Sequence, residues 1–243
     1  MSQSTTSKRW SRREALEVMA AGMALSVGCS NGSPTSPTAA TTTTTATTGG
    51  TTTTPPTSTS TCVTTPNETA GPFPSITVPV RSDVREDRTG LPLALTLTVV
   101  NTSSACAPVA AANVEIWQCD AQGNYSEYGA LTSSTWLRGV QPTDSNGRAT
   151  FTTIYPGWYA GRVTHIHIEV SVNGRSVKTT QIAFPEEVTA AVYASGVYAA
   201  KGQNPTKNAG DMVFSDGVTS QLASLVGSTA AGYTATFTIG IAL

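Results

Sequence analysis

The sequence predicts an all-β fold: a β-sandwich core with one or two short helices, preceded by a disordered Thr-rich stalk. Three observations predict it. Short runs of alternating apolar and polar residues recur between about Cys62 and Leu243. Turn signals such as Thr89-Gly90, Gln122-Gly123-Asn124, Asn146-Gly147 and Asn173-Gly174 separate them. A single stretch, from Pro185 onward, has the composition of a helix.

The first quarter of the chain does not read as globular. Lys8, Arg9, Arg12 and Arg13 form a basic start, and a modest apolar run follows from Ala15 to Gly28. That run is too short to span a membrane as a mature helix, so residues 1–29 read as an export signal. Ser11-Arg12-Arg13 is the core of a twin-arginine signal, used for proteins exported already folded. Ala15 stands where a large apolar residue is usual, and an ordinary secretory signal is the alternative. Leu25-Ser26-Val27-Gly28-Cys29 resembles a lipoprotein processing site, which would put a lipid anchor on Cys29. Its alternative is a signal-peptide cysteine removed by cleavage further along. The expected location is exported, either extracellular or attached to the cell envelope.

Residues 30–61 are built almost wholly from Thr, Ser, Pro, Gly and Ala and carry no charge. Such a segment has too little to bury to offset the entropy of ordering, so it reads as a disordered linker or stalk. Fully extended, at roughly 3.3 Å per residue, it reaches on the order of 100 Å.

Residues 62–243 are long enough for one sizeable core. Strands are expected over Leu93–Val100, Ala112–Cys119, Ala149–Ile154, Thr164–Val172, Lys178–Ala183 and Tyr233–Ile241. Asn173-Gly174 between two alternating runs predicts a hairpin. The helix is expected to begin at Pro185, with Glu186 and Glu187 in its first turn and helix formers from Ala190 to Ala200. Three cysteines follow Cys29: Cys62, Cys106 and Cys119. In an oxidising compartment one disulfide and one leftover thiol are expected, the pair unspecified; three buried thiols are the alternative. The formal net charge is -1, and the six charges before Cys29 sum to +2, leaving -3 for the rest. No basic patch of the kind that neutralises phosphates exists, which excludes nucleic acid as a partner.

The sharpest chemical clue is scarcity. The chain has 2 histidines, His165 and His167, at i and i+2 of an expected strand. Both imidazoles then point to one face, as a metal site requires. A structural pair is the bland reading, and zinc or copper on the two histidines is a further one. Zinc with cysteines lacks the usual closely paired ligand spacing. Tyrosine is the remaining donor type: Tyr159 follows a Pro156-Gly157 turn, and Tyr125 follows Gly123-Asn124. A phenol has a pKa of about 10, so a phenolate needs a strong cation beside it, and a hard ferric ion is one.

Four runs carry more than spacing: Glu68-Thr-Ala-Gly-Pro-Phe73, Val114-Glu-Ile-Trp-Gln-Cys-Asp-Ala-Gln-Gly-Asn-Tyr-Ser126, Leu137-Arg-Gly-Val-Gln-Pro-Thr-Asp144 and Thr153-Ile-Tyr-Pro-Gly-Trp-Tyr-Ala-Gly-Arg-Val-Thr-His-Ile-His167. Together they resemble the intradiol ring-cleavage dioxygenases, which include the catechol 1,2-dioxygenases and protocatechuate 3,4-dioxygenases. The resemblance spans essentially all of residues 62–243. It implies Fe(III) on Tyr125, Tyr159, His165 and His167, with Arg162 and Gln181 as active-site residues. It implies a small catechol-type substrate, O2, and a cis,cis-muconate-type diacid as product. Tyr159 would take a substrate proton, and Arg162 would stabilise developing negative charge. Glu68, Gly71 and Pro72 would lie on a segment that walls the substrate cleft. Two departures stand out: the Tyr159–His165 connection is much shorter than in the catechol and protocatechuate enzymes, and the dimerising helical domain of catechol 1,2-dioxygenases has no counterpart here. The chain therefore looks closer to a secreted branch, and neither substrate preference nor oligomeric state carries over. A competing class is a non-catalytic cell-surface β-sandwich module that binds carbohydrate or aromatic polymer; retention of all four ligands argues against it.

Overall fold

Alternation along the chain becomes two sheets with one core between them. The structure, a computed structural model, describes residues 62–243. The export signal over 1–29, the processing-site reading of Cys29 and the stalk over 30–61 lie outside the described residues. The strands are β1 (Pro92–Asn101), β2 (Ala107–Pro108), β3 (Asn113–Trp117), β4 (Arg138–Pro142), β5 (Arg148–Ile154), β6 (His165–Val172), β7 (Arg175–Ala183), β8 (Ser224–Ser228) and β9 (Gly232–Ile241). One sheet runs β2-β1-β9-β8, with β5 also paired to β1; the other runs β4-β3-β6-β7. All pairings are antiparallel except β1 with β9.

Each sheet gives one face to the core, as a period of two requires. Leu93, Leu95, Leu97 and Val99 of β1 are buried, while Thr96 and Thr98 between them are partly exposed. From the other sheet come Val114 and Ile116 of β3 and Ile166, Ile168 and Val170 of β6, all fully buried in the same cluster. At roughly 25 cal/mol per Å2 of apolar surface, each such side chain contributes about 1.5–3 kcal/mol. This assignment leaves the intervening residues of β6, His165 and His167, on the opposite face.

That opposite face is covered by a strap, residues 62–84. Its start is fixed by a disulfide between Cys62 and Cys106, leaving Cys119 as the free cysteine among the described residues. Thr65 bonds Gly240 of β9, Glu68 donates its N–H to Thr179 of β7, and Val80 bridges to Val140 of β4.

The structure corrects several element boundaries. The helix, α1, spans Glu186–Tyr193 and stops short of Ala200. Ser195 is extended and Gly196 adopts φ of 54°, so the helix cannot continue, and a 3-10 turn follows at Gly196–Tyr198. β3 ends at Trp117 rather than Cys119, because the Gln118 side chain turns in to donate to Ile154 O at 2.9 Å. β2, β4 and β8 were not expected.

Candidate metal centre

Strand register alone lines up four side chains across the covered sheet. Arg138 of β4 stands opposite Trp117 of β3, Trp117 opposite His167 of β6, and His167 opposite Gln181 of β7. His165, two residues earlier on β6, shares that face. The two imidazole Nε2 atoms lie 3.1 Å apart, and the Tyr125 hydroxyl is 3.5 Å from His165 Nε2. The Tyr125 and Tyr159 rings meet edge to face at 5.8 Å, and Tyr159 meets His165 at 5.7 Å. The structure thus brings together all four predicted ligands.

Each candidate ligand is aimed by a local device. His165 Nδ1–H donates to Val163 O at 2.6 Å, leaving the Nε2 lone pair free. The His167 ring stacks on Trp117 at 4.9 Å with 3° between planes, and Gly71 closes over its Cε1. Tyr125 sits at the end of a tight loop in which Asp120 Oδ1 accepts the N–H groups of Gln122 and Asn124. Gly123, at φ of 85°, completes that loop, because a Cβ there would strike Trp158 O. Tyr159 follows Gly157, which packs against the Asp120 carbonyl with no room for a side chain.

Burial sets the electrostatics. Burial, aided by the positive Arg162, pushes His165 down to about 3, and burial together with His165 and the nearby arginines pushes His167 well below its usual value. Both imidazoles are therefore neutral, the form that ligates metal. Burial raises both phenols, Tyr125 the more strongly, so neither ionises without a cation at hand. The Tyr159 hydroxyl is buried beside Tyr125 and Arg162 without a well-formed hydrogen bond, and His167 Nδ1 has no hydrogen-bond partner among the described residues. No three of His, Cys, Asp and Glu gather among the described residues. Two imidazoles and two phenols suit a hard cation that phenolate oxygens neutralise.

Arg162 and Gln181 meet beside the ligands: Arg162 Nη2 donates to Gln181 Oε1 at 2.5 Å, and Gln181 Nε2 donates to Thr69 O on the strap at 2.8 Å. Gly71 of the predicted cleft segment touches His167, Glu68 accepts from Gln221 Nε2 at 3.2 Å, and Pro72 is exposed.

Four supporting residues escaped the sequence reading. Phe73 stacks on Tyr125 at 4.6 Å and meets Tyr159 edge-on at 6.0 Å. Arg138 and Glu127 form a buried ion pair at 3.1 Å. Glu127 accepts the N–H groups of Ile76 and Thr77 at 2.8 and 2.7 Å, tying the strap down beyond Phe73. Asp211 accepts from Arg162 Nε at 2.9 Å and from Val163 N–H at 2.6 Å. Phe73 and Arg138 lie inside the motif runs; nothing local marks Glu127 or Asp211, whose bonds to the strap and to Arg162 span some 50 residues of sequence.

The dioxygenase family model matches residues 73–206, which carry all four candidate ligands, Arg162 and Gln181. Among solved structures, the chain is similar to an intradiol ring-cleavage dioxygenase from Tetranychus urticae, at 29% identity and a TM-score of 0.68, over 74% of this chain and 95% of that one. It is also similar to the dioxygenase domain of a dioxygenase–carbohydrate-binding protein fusion from Streptomyces sp. SirexAA-E, at 27% identity and a TM-score of 0.57, over 74% of this chain and 99% of that one. The catechol 1,2-dioxygenase from Pseudomonas arvilla C-1, at 23% identity and a TM-score of 0.52 over 73% of this chain and 62% of that one, shares the fold.

Proposed function

The chain belongs to the dioxygenase family of intradiol ring-cleaving enzymes, and from that premise we propose that it uses non-haem Fe(III) and O2 to open a catechol-type ring between its two hydroxyl carbons. The observation that carries the reading is the convergence of Tyr125, Tyr159, His165 and His167 in one buried cluster. These four residues would hold the ion. Bound there, Fe(III) supplies Lewis acidity and a template that makes the catecholate reactive toward O2. Catechol and O2 sum to a cis,cis-muconate-type diacid, so both oxygen atoms enter the product.

The remaining roles belong to the protein. Tyr159 is partly exposed while Tyr125 is 4% exposed, so Tyr159 is the phenol that can swing aside and take a substrate proton at its oxygen. Arg162 is held against Gln181 and offers its outer N–H groups to negative charge developing on the ring oxygens. Phe73 and Trp117 keep water off the ligands. Export is part of the same proposal, and the Cys62–Cys106 disulfide supports it, since such bonds persist in oxidising compartments.

The test is the visible spectrum of the purified domain over residues 62–243, with iron analysis, before and after anaerobic addition of catechol. A broad tyrosinate-to-iron band that shifts with catechol is expected. A protein that stays colourless after anaerobic reconstitution with iron and reoxidation refutes the reading.

A further inference from the structure

The charge on Arg162 is already met before any substrate arrives. Its Nε sits on both oxygens of Asp211, at 2.9 and 3.2 Å, and its Nη2 on Gln181. Asp211 is 1% exposed and Arg162 is 8% exposed, so the pair interacts with little solvent screening. Asp211 is itself fixed by the N–H groups of Val163 and Val213, at 2.6 and 2.9 Å. One more carboxylate faces this group: Glu68 on the strap, held by Gln221 and within electrostatic reach of Arg162 and Asp211, with the exposed Asp216 acting on Glu68 in turn. The other arginine of the covered face, Arg138, is fully buried and consumed by Glu127, Ser126, Phe73 O and Ser75. The arginine side of the site therefore still presents N–H donors, but the charge of Arg162 is balanced by Asp211 with Glu68 nearby, and among the described residues the covered face offers no arginine free of a carboxylate partner.

We propose that Asp211, with Glu68 at the rim, sets substituent selectivity: by neutralising Arg162 it makes this a site for catechols whose ring carries no anionic substituent. Asp211 acts through Arg162 and is a positioning residue. A ring carboxylate here would lose its water and meet like charge, and among the described residues the covered face has no guanidinium free of a carboxylate to receive it. A hydroxyl, alkyl or unsubstituted ring position meets no such penalty. This inference rests on the ring-cleavage reading.

The experiment is anaerobic spectral titration of the iron-loaded domain with catechol and with its 4-carboxylate, protocatechuate. Wild type is expected to bind catechol at least about tenfold more tightly. D211N frees the charge of Arg162 and is expected to shrink that ratio by about tenfold or more. E68Q, on the partly exposed rim and with no packing lost, is expected to shrink it in the same direction by a smaller factor. In iron-free protein, the Arg162 Nε–H resonance is expected to be protected from exchange in wild type and not in D211N, a readout independent of turnover. If D211N does not fold, the wild-type ratio and E68Q decide. Equal or tighter binding of protocatechuate by wild type, or a ratio unmoved by E68Q, overturns the inference alone. Failure to bind either compound removes the ring-cleavage reading, and this inference with it.

Discussion

The two tyrosines look equivalent in the sequence but occupy different surroundings. Tyr125 is wedged between Phe73, stacked at 4.6 Å, and the His167 ring at 6.2 Å, and Arg138 lies 5.9 Å from its centroid. Tyr159 touches the same cluster edge-on, is only partly buried, and turns its hydroxyl toward Tyr125 and Arg162 without a well-formed hydrogen bond. A well-packed ligand that cannot leave suits permanent charge compensation, and a loosely packed one suits proton traffic. Substitution should separate the roles. Y159F is expected to keep the domain folded, retain iron and lower kcat by about 100-fold or more, the usual scale for losing a general base. Y125F is expected to lose iron during dialysis, as read by metal analysis. Equal iron loss in the two variants would show that the roles are not divided this way.

At the scale of elements, the strap closes the outer face of the β4-β3-β6-β7 sheet, and Gly71 is its point of closest approach. Gly71 adopts φ of 71°, and a Cβ there would stand 2.9 Å from His167 Cε1. G71A should cost about 1–2 kcal/mol for the left-handed backbone and, separately, should push the strap off the imidazole. Gly129 is the control, with φ of 61° and nothing within 4 Å of its would-be Cβ. Both alanine variants are expected to lower Tm, and G71A alone should release iron faster to a chelator; equal release rates would show that the strap contact does not matter to the metal.

Legibility divides along the same lines. Strands whose alternation faces one core, such as β1 and β5, could be read directly, and so could the i, i+2 histidines of β6. β4 was missed because its Arg138 is charged yet fully buried, which no hydropathy pattern signals. β8, Ser-Leu-Val-Gly-Ser, is largely exposed and pairs only because β9 lies beside it. Asp211 was invisible because its meaning depends on a partner 49 residues away. Local pattern and motif carry the ligands, whereas the residues that orient Arg162 and fasten the strap exist only in the folded chain.

At the scale of the whole molecule, the question is what the Cys62–Cys106 disulfide does for a domain that already has a full core. It joins the first described residue of the strap to the turn after β1, across a separation of 44 residues. In the chain-entropy view, closing a loop of that length removes up to about 4 kcal/mol of freedom from the unfolded state. The folded strap has independent fastenings downstream: Thr65 on Gly240, Glu68 on Thr179, Gln181 on Thr69, and Glu127 on Ile76 and Thr77. The bridge should therefore act on global stability and leave the site alone. A C62A/C106A variant is expected to unfold at lower urea concentration, by about 2–4 kcal/mol, with the m-value altered by a less compact unfolded state. Its iron content and visible band at 25 °C should match wild type. If the band is lost before the urea midpoint moves, the disulfide is instead part of what holds Gly71 and Phe73 against the ligands, and the downstream fastenings are insufficient without it.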